Sequence, residues 1–366
     1  MTAILTKIKN RLVSALRRKI HVRSYLKEME RYENKARKLC IAYGVKLTEE
    51  ESFEKIREFW KPYVKYDIKP YYYNILSGLG HSEPLYQNVN WAIMYNSIIR
   101  KLNPADAAKT LANKGLYATL FKDINRPVEL LRNCNGMYFN HENRIVSQDE
   151  AIRVLQFYGR PFVIKPATDT KGGKNVKIVS TDTKESVISL LKEYKNDFVV
   201  QEVVEQSIQT GQFNPTSLNT FRVITLFLNG KVSVLSSILR CGGKDSIVDN
   251  ATQGGMFVGI DMHTGALKEG ASYRQMGIKE SPTGLVFSNY RIENIGRIYD
   301  MARQLHTMIP LCRFAAWDIA LDKNDEPVLI EVNLNKPDVL LMQICNGPVF
   351  GERFAEVIDY CFNKVE

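Results

Sequence analysis

Apolar residues follow two rhythms along this chain. At the amino terminus Ile4, Leu5, Ile8, Leu12, Leu16 and Ile20 recur near the helical period, with Lys7, Lys9, Arg11, Arg17, Arg18 and Lys19 between them. That is the pattern of an amphipathic helix with a basic polar face. The stretches "SYLKEMERYENKARKLCIAYG", "EEESFEKIREFWKPY" and "YQNVNWAIMYNSIIRKL" also read as helices, and tyrosines cluster between them at "KPYVKYDIKPYYYNIL". Asn103-Pro104 reads as a cap followed by proline at the first helical position, so "PADAAKTLAN" is expected to open another helix. Residues 1–110 are therefore expected to be a helical region.

From about residue 115 strands alternate with helices. "PFVIKPA", "VKIVS" and "DFVVQEVV" read as strands, "TDTKGGKN" as a polar glycine-bearing loop and "TKESVISLLKEY" as a capped amphipathic helix. "NTFRVITLFLNGKVSVLSSILR" holds two strands about Asn229-Gly230, the strongest short hairpin signal. "NYRIENIGRIYDMARQLHTM" and the closing "GERFAEVIDYCFNKV" read as helices, with the hairpin "AAWDIALDKNDEPVLIEVNLNKPD" between them. The class is α+β with largely antiparallel sheets.

That hairpin raises a question of charge. With the turn at "KNDE", Asp322 lies opposite Pro327 and Asp318 therefore faces Glu331, with Asn333 one diagonal step away on the same face. Like charges directly opposed across a ladder are destabilising. A hard divalent cation such as Mg²⁺, which takes oxygen ligands, would neutralise them; an ordinary exposed sheet face with chance acids is the alternative.

Composition narrows the setting. The chain has 366 residues, 45% hydrophobic and 25% charged, which suits a globular protein of two or three domains. The formal net charge of +10 favours anionic partners or simply aids solubility. Six cysteines without a CxxC or a framework spacing fit a reducing compartment. No apolar run is long enough to span a bilayer, and no uninterrupted apolar core of a signal peptide is present, so a cytoplasmic location is expected. The basic helix of residues 1–22 could rest on the inner face of an anionic membrane, or pack on its own domain or on a second copy.

Other positions carry candidate chemistry. Lys165 ends an apolar strand, and Lys171, Gly172, Gly173 and Lys174 follow in its loop. Glycines admit phosphate close to backbone N–H groups and lysine supplies a point charge; no Walker A or GxGxxG motif is present. Arg222 and Arg240 lie in the two strands joined by Asn229-Gly230, at similar depth for a tight turn, and paired arginines suit phosphate or carboxylate. Snorkelling or salt-bridged arginines are the other reading. Asn250 and Gly254-Gly255 make a polar loop that is either a backbone approach to a ligand or a turn.

Taken in order, a lysine-ending strand, a glycine loop, "QEVVEQ", two arginine strands, an asparagine-glycine loop and D-x12-E-x-N resemble the ATP-grasp superfamily from about residue 110 to 350. "FNPTSLNTFRVIT", "DNATQGGMFVGID", "AAWDIALD" and "LIEVNLNKPD" resemble most its sugar-transfer-associated members, encoded among bacterial surface-polysaccharide genes. The resemblance implies an ATP-grasp fold with subdomains at 111–205 and 206–366 after the helical region. It implies ATP with Mg²⁺, two ions, bound by Lys114 and Lys165 at the α- and β-phosphates, by Gly172 and Gly173 over the phosphates, by Glu202 and Val203 at adenine and by Glu205 at the ribose. Asp318, Glu331 and Asn333 match its metal ligands. Arg222, Arg240 and Asn250 match positions near the γ-phosphate and the acyl phosphate, and Lys336 could hold an acidic substrate. The implied activity is ATP-dependent ligation of a carboxylate, such as a hexuronic acid, to an amine in capsule or O-antigen assembly, with no nucleic-acid partner. A sugar or lipid-linked kinase and a non-catalytic nucleotide-binding scaffold are the alternatives. Two features depart from the family pattern: no small βαβ domain precedes the core, and Asn113 stands where an acid often precedes the first lysine.

Overall fold

A computed structural model describes residues 23–47, 51–79, 84–168, 175–180, 183–244 and 254–363. They fall into two compact units, one drawn from 1–101 and 350–366 and the other from 102–349. The amphipathic helix expected within residues 1–22 lies outside the described residues.

The first unit is helical. It contains residues 23–42, Glu51–Trp60 and Tyr71–Leu76. The helix of residues 91–102 widens to a π turn at Met94–Ile98. Asn90 caps it, its side-chain oxygen accepting from the N–H of Ile93 at 2.9 Å. The core is aromatic because the tyrosine cluster turns inward: Tyr72 and Tyr73 are buried with Trp60 and Trp91. Trp60 donates its indole N–H to the carbonyl of Tyr86 at 3.1 Å. Phe354, near the carboxy terminus, packs in the same unit with its ring 5.6 Å from that of Phe59.

The second unit holds two six-stranded antiparallel sheets. The first has β1 (Glu129–Cys134), β2 (Met137–Asn140), β3 (Ile145–Val146), β4 (Phe162–Pro166), β5 (Lys177–Val179) and β6 (Phe198–Glu202), in the order β3-β2-β1-β6-β4-β5. The second has β7 (Thr220–Leu228), β8 (Lys231–Cys241), β9 (Met256–Ile260), β10 (Leu267–Ala271), β11 (Phe314–Leu321) and β12 (Pro327–Asn333), in the order β10-β9-β8-β7-β11-β12. Helices Gln148–Gln156 and Lys184–Tyr194 bury Leu155, Val187 and Leu191 in one core with Phe162, Ile164 and Phe198. Helix Ile295–Thr307 buries Ile298, Ala302 and Leu305 in the other, with Trp317 and Ile319. The α+β class with a helical amino-terminal region is as expected. The meander β1-β2-β3 was not among the expected strands. Its signal is Asn135-Gly136, whose positive φ values of 50° and 85° match those of Asn229-Gly230, at 50° and 73°.

Two local expectations are corrected. Asn103 does not cap the helix Ala105–Leu111; Pro104 holds the cap position with no side-chain bond. The Asn103 amide instead donates to the carbonyls of Phe314 at 2.7 Å and Leu334 at 2.6 Å and accepts from the N–H of Arg313 and Phe314, both at 3.0 Å. Four bonds to backbone groups at the ends of β11 and β12 outweigh one cap bond.

The second correction concerns the β11–β12 register. Pro327 pairs with Leu321, not Asp322, yet Asp318 does face Glu331. A bulge at Ile330 reconciles the two, since Ile319 pairs with Leu329 while Asp318 pairs with Glu331. The extra residue reverses the alternation of side chains along β12. Leu329 and Val332, three positions apart, therefore both enter the core, and Glu331 leaves it for the face that carries Asp318.

Beneath that face His306 is buried and its tautomer is set by its neighbours. The Trp317 indole N–H donates to Thr225 Oγ1 at 2.8 Å, and the Thr225 hydroxyl lies 2.6 Å from His306 Nδ1. His306 Nε2 lies 2.9 Å from the Cys312 carbonyl, so Nε2 carries the proton and Nδ1 accepts. Burial pushes the imidazole down to about 4. A ring that stays neutral in the fold and charges when unfolded adds stability above pH 6.5, and this is lost as pH falls from 6.5 toward 4. Chemical denaturation at pH 7 and pH 4.5 is expected to show His306→Gln losing roughly 2–3 kcal/mol less between these values than the unsubstituted protein.

Candidate functional site: a charge row across four strands

Arg240, Arg222, Asp318 and Glu331 stand on the neighbouring strands β8, β7, β11 and β12. Arg222 is the cross-strand partner of Asp318, and Asp318 is the partner of Glu331. Arg240 pairs with Thr220, two positions along β7 from Arg222, so the two arginines are offset along their strands. Both nevertheless reach Asp318. Arg222 Nε and Nη2 donate to Oδ1 and Oδ2 at 2.8 and 2.7 Å, a bidentate fork, and Arg240 Nη1 donates to Oδ2 at 2.7 Å. Asn333 Nδ2 bridges the carboxylates, 3.3 Å from Asp318 Oδ2 and 3.2 Å from Glu331 Oε1.

The first sheet's half of the unit adds two lysines. Lys114 opens a short 3₁₀ turn, Lys114–Leu116, capped by Asn113, whose side-chain oxygen accepts from the N–H of Gly115 at 2.9 Å. An acid is thus not needed there to cap the turn. The N–H of Lys114 donates to the carbonyl of Ala167 at 2.9 Å, which ties this turn to the end of β4, two residues past Lys165. Lys114 Nζ lies 3.0 Å from Glu331 Oε2. Tyr117, one turn further on, accepts at its hydroxyl from the N–H of Val332 at 3.0 Å. Burial and the charge of Glu331 hold that hydroxyl protonated, well above the ordinary tyrosine range.

Lys114, Lys165, Arg222 and Arg240 are each 8% exposed and Asp318 is 3%. Charges this deep cost several kcal/mol each unless partnered. Burial alone would raise the Asp318 carboxyl, but Arg222 and Arg240 hold it below the usual carboxylate range. Burial pushes the Lys165 ammonium down to about 8, and Lys114 adds to the shift while Glu331 and Glu129 oppose it. Four cationic side chains therefore surround two carboxylates, a surplus that suits a polyanion.

The remaining expected positions are less close-knit. Glu202 ends β6 with its N–H on the carbonyl of Val128 at 3.0 Å, and Val203 follows it, half-buried. Glu205 is exposed and pairs with Lys323 at 3.0 Å. Lys336 is exposed, three residues past Asn333. Gly172, Gly173 and Asn250 lie outside the described residues. Three features were not foreseen. Tyr117 is one. The second is the buried pair of Arg132 with Glu129, 2.6 Å apart on β1. The third is Asn219, whose side chain donates to Gln206 Oε1 at 3.2 Å and to the carbonyls of Thr210 at 2.9 Å and Asn214 at 2.8 Å, fixing the loop that enters β7. Only the Asn135-Gly136 turn beside Arg132 gave any signal in the sequence.

Residues 94–359 match the family described as sugar-transfer associated ATP-grasp, well over half of the chain. The chain belongs to that family. No curated protein matches it. Among solved structures it is similar to L-amino acid ligase from Bacillus licheniformis, at 14% identity and a TM-score of 0.38, over 67% of this chain and 44% of that one. It is also similar to D-alanyl-alanine synthetase A from Vibrio cholerae O1 biovar eltor str. N16961, at 15% and 0.41, over 70% and 64%. A third is biotin carboxylase from Campylobacter jejuni, at 10% and 0.45, over 72% and 49%. The chain thus spans less than two thirds of each of these proteins.

The donor set fits what an ATP-grasp protein binds. The two carboxylates offer oxygen, the preference of Mg²⁺, while Asn333 turns its Nδ2 toward them and would have to present its side-chain oxygen to join as a ligand; lysines and arginines beside them suit phosphate. Among the described residues no group of three or more histidine, cysteine, aspartate or glutamate side chains is placed to hold a metal. A cation here would draw its further oxygens from ligand or water. A phosphate beside Lys165 would raise its depressed pKa, so nucleotide binding is expected to take up roughly half a proton near pH 8 and almost none at pH 6.5. Calorimetry of ADP binding in buffers of different ionisation enthalpy measures this uptake, and Lys165→Met is expected to abolish it.

Proposed function

We propose that this sugar-transfer associated ATP-grasp protein is an ADP-forming ligase that joins a carboxylate to an amine. The observation that carries the reading is the convergence of Lys114, Glu331 and Asn333 with the Asp318–arginine cluster, drawn from the two sheet halves of one unit. Lys114 and Lys165 would hold the α- and β-phosphates of ATP, with Gly172 and Gly173 over them and Glu202, Val203 and Glu205 at the nucleoside. Glu331, Asn333 and Asp318 would hold Mg²⁺, which supplies neutralisation of the charge that builds on the phosphoryl oxygens. Arg222, Arg240 and Asn250 would orient the transferring phosphoryl group.

The substrate carboxylate oxygen would attack the γ-phosphorus in line, forming one P–O bond as the bond to ADP breaks. The amine would then attack the acyl carbon, phosphate would leave with the C–O electron pair, and the nitrogen would lose its extra proton. The chain's part is to align the groups and to keep water from the acyl phosphate. The family description supports a glycan setting, and an acidic sugar is the proposed carboxylate, with Lys336 near the end of β12 as its candidate contact.

Purified protein with MgATP, uronic-acid sugar nucleotides and a panel of amines is expected to release ADP only when acid and amine are both present, with a condensed product in the mass spectrum. Glu331→Gln is expected to reduce turnover by roughly 100-fold or more, the loss typical of removing a principal electrostatic group. ADP release with a stable phosphorylated product and no dependence on amine would replace ligation with phosphoryl transfer.

A further inference from the structure

All four oxygens of the opposed carboxylates are already engaged by side chains of this protein. Asp318 Oδ1 accepts from Arg222 Nε at 2.8 Å, and Oδ2 accepts from Arg222 Nη2 and Arg240 Nη1, both at 2.7 Å, and from Asn333 Nδ2 at 3.3 Å. Glu331 Oε1 accepts from Asn333 Nδ2 at 3.2 Å, and Oε2 lies 3.0 Å from Lys114 Nζ. The like-charge repulsion that the hairpin register imposes is thus relieved by arginine, lysine and amide groups. These are the donors that a polyphosphate would draw toward itself. A divalent cation and these side chains compete for the same oxygens, and a polyphosphate and the carboxylates compete for the same positive groups.

We propose that the site works by exchange of ionic partners: Arg240, Arg222 and Lys114 hold Asp318 and Glu331, and release them to a divalent cation as they turn to an incoming anion. The anion being nucleotide rests on the ligase reading; the competition for the carboxylates does not. Either ion entering alone must break buried charge-assisted bonds, whereas the two entering together trade one set for another. Cation and anion binding therefore reinforce one another through the protein, beyond their attraction in solution.

Arg240 separates this scheme from a static one. It makes one contact to Asp318 from two strands away, whereas Arg222 is the direct cross-strand partner with a two-bond fork. Removing Arg240 leaves a complete Arg222–Asp318 pair, so the buried carboxylate stays neutralised. If Arg240 competes with the cation, its loss tightens cation binding. If it only holds Asp318 in place as a ligand, its loss loosens the ligand and weakens binding.

Mn²⁺ binding to the full chain without nucleotide, read by electron paramagnetic resonance, tests this. Arg240→Gln is expected to tighten Mn²⁺ about fivefold or more, because a competing buried cation is gone. Lys177→Gln, which removes a charge paired with Glu193 at 2.6 Å on β5 of the other sheet, is expected to change it less than about twofold. Arg240→Lys, which keeps the charge but loses the guanidinium's reach, is expected to tighten it about twofold and serves if the glutamine variant does not fold. Unchanged or weaker Mn²⁺ binding in the Arg240 variants overturns the proposal, as does equal tightening by Lys177→Gln. Binding of MgADP to the unsubstituted protein reports separately on the ligase reading, so the two ideas fail by different measurements.

Discussion

The Asp318 carboxylate, buried between two guanidinium groups, is the interaction on which the site depends. Removing one partner of such a cluster leaves a charge without compensation in a low-dielectric interior, which typically costs about 3–5 kcal/mol. The cluster therefore links three neighbouring strands by more than their backbone ladder. Its position sets the geometry of everything near it. Glu331 is the next carboxylate across the sheet, Asn333 bridges the two, and Lys114 reaches Glu331 from the other half of the unit.

A single extra residue makes that row possible. Without the bulge at Ile330, the alternation of β12 would turn Glu331 to the side of Leu329, among the apolar residues beneath the sheet. An unpaired carboxylate there would cost several kcal/mol, and the face above would lose its second acid. The tethers on either side reinforce the arrangement. Tyr117 accepts from the N–H of Val332, and Asn103 engages the carbonyl of Leu334, so the strand end that carries Glu331 and Asn333 is held from outside its own sheet.

Membership of the sugar-transfer associated ATP-grasp family fits this picture without accounting for all of it. The cationic surplus, the opposed carboxylates and the lysine with a pKa pushed down to about 8 are properties of this chain's own packing. The helical unit is built on a different principle. Its stability comes from aromatic burial, with Trp60, Tyr72, Tyr73 and Trp91 inside.

Local signals were legible because their causes are local. Asn229-Gly230 adopts positive φ at both residues, as a two-residue hairpin requires, and the alternating strands and periodic helices followed from side-chain periodicity. The facing of Asp318 and Glu331 was legible too, although the turn assumed for it was one residue out and the bulge supplied the difference. By itself the sequence determined the α+β class, the strands that bear the charged residues and the D-x12-E-x-N spacing. Only the tertiary structure decided which charges meet. Arg240 and Asp318 are 78 positions apart and Asn103 and Phe314 are 211 apart. Such pairings arise from strand order and from the need to satisfy buried charge and backbone polar groups, which no local pattern encodes.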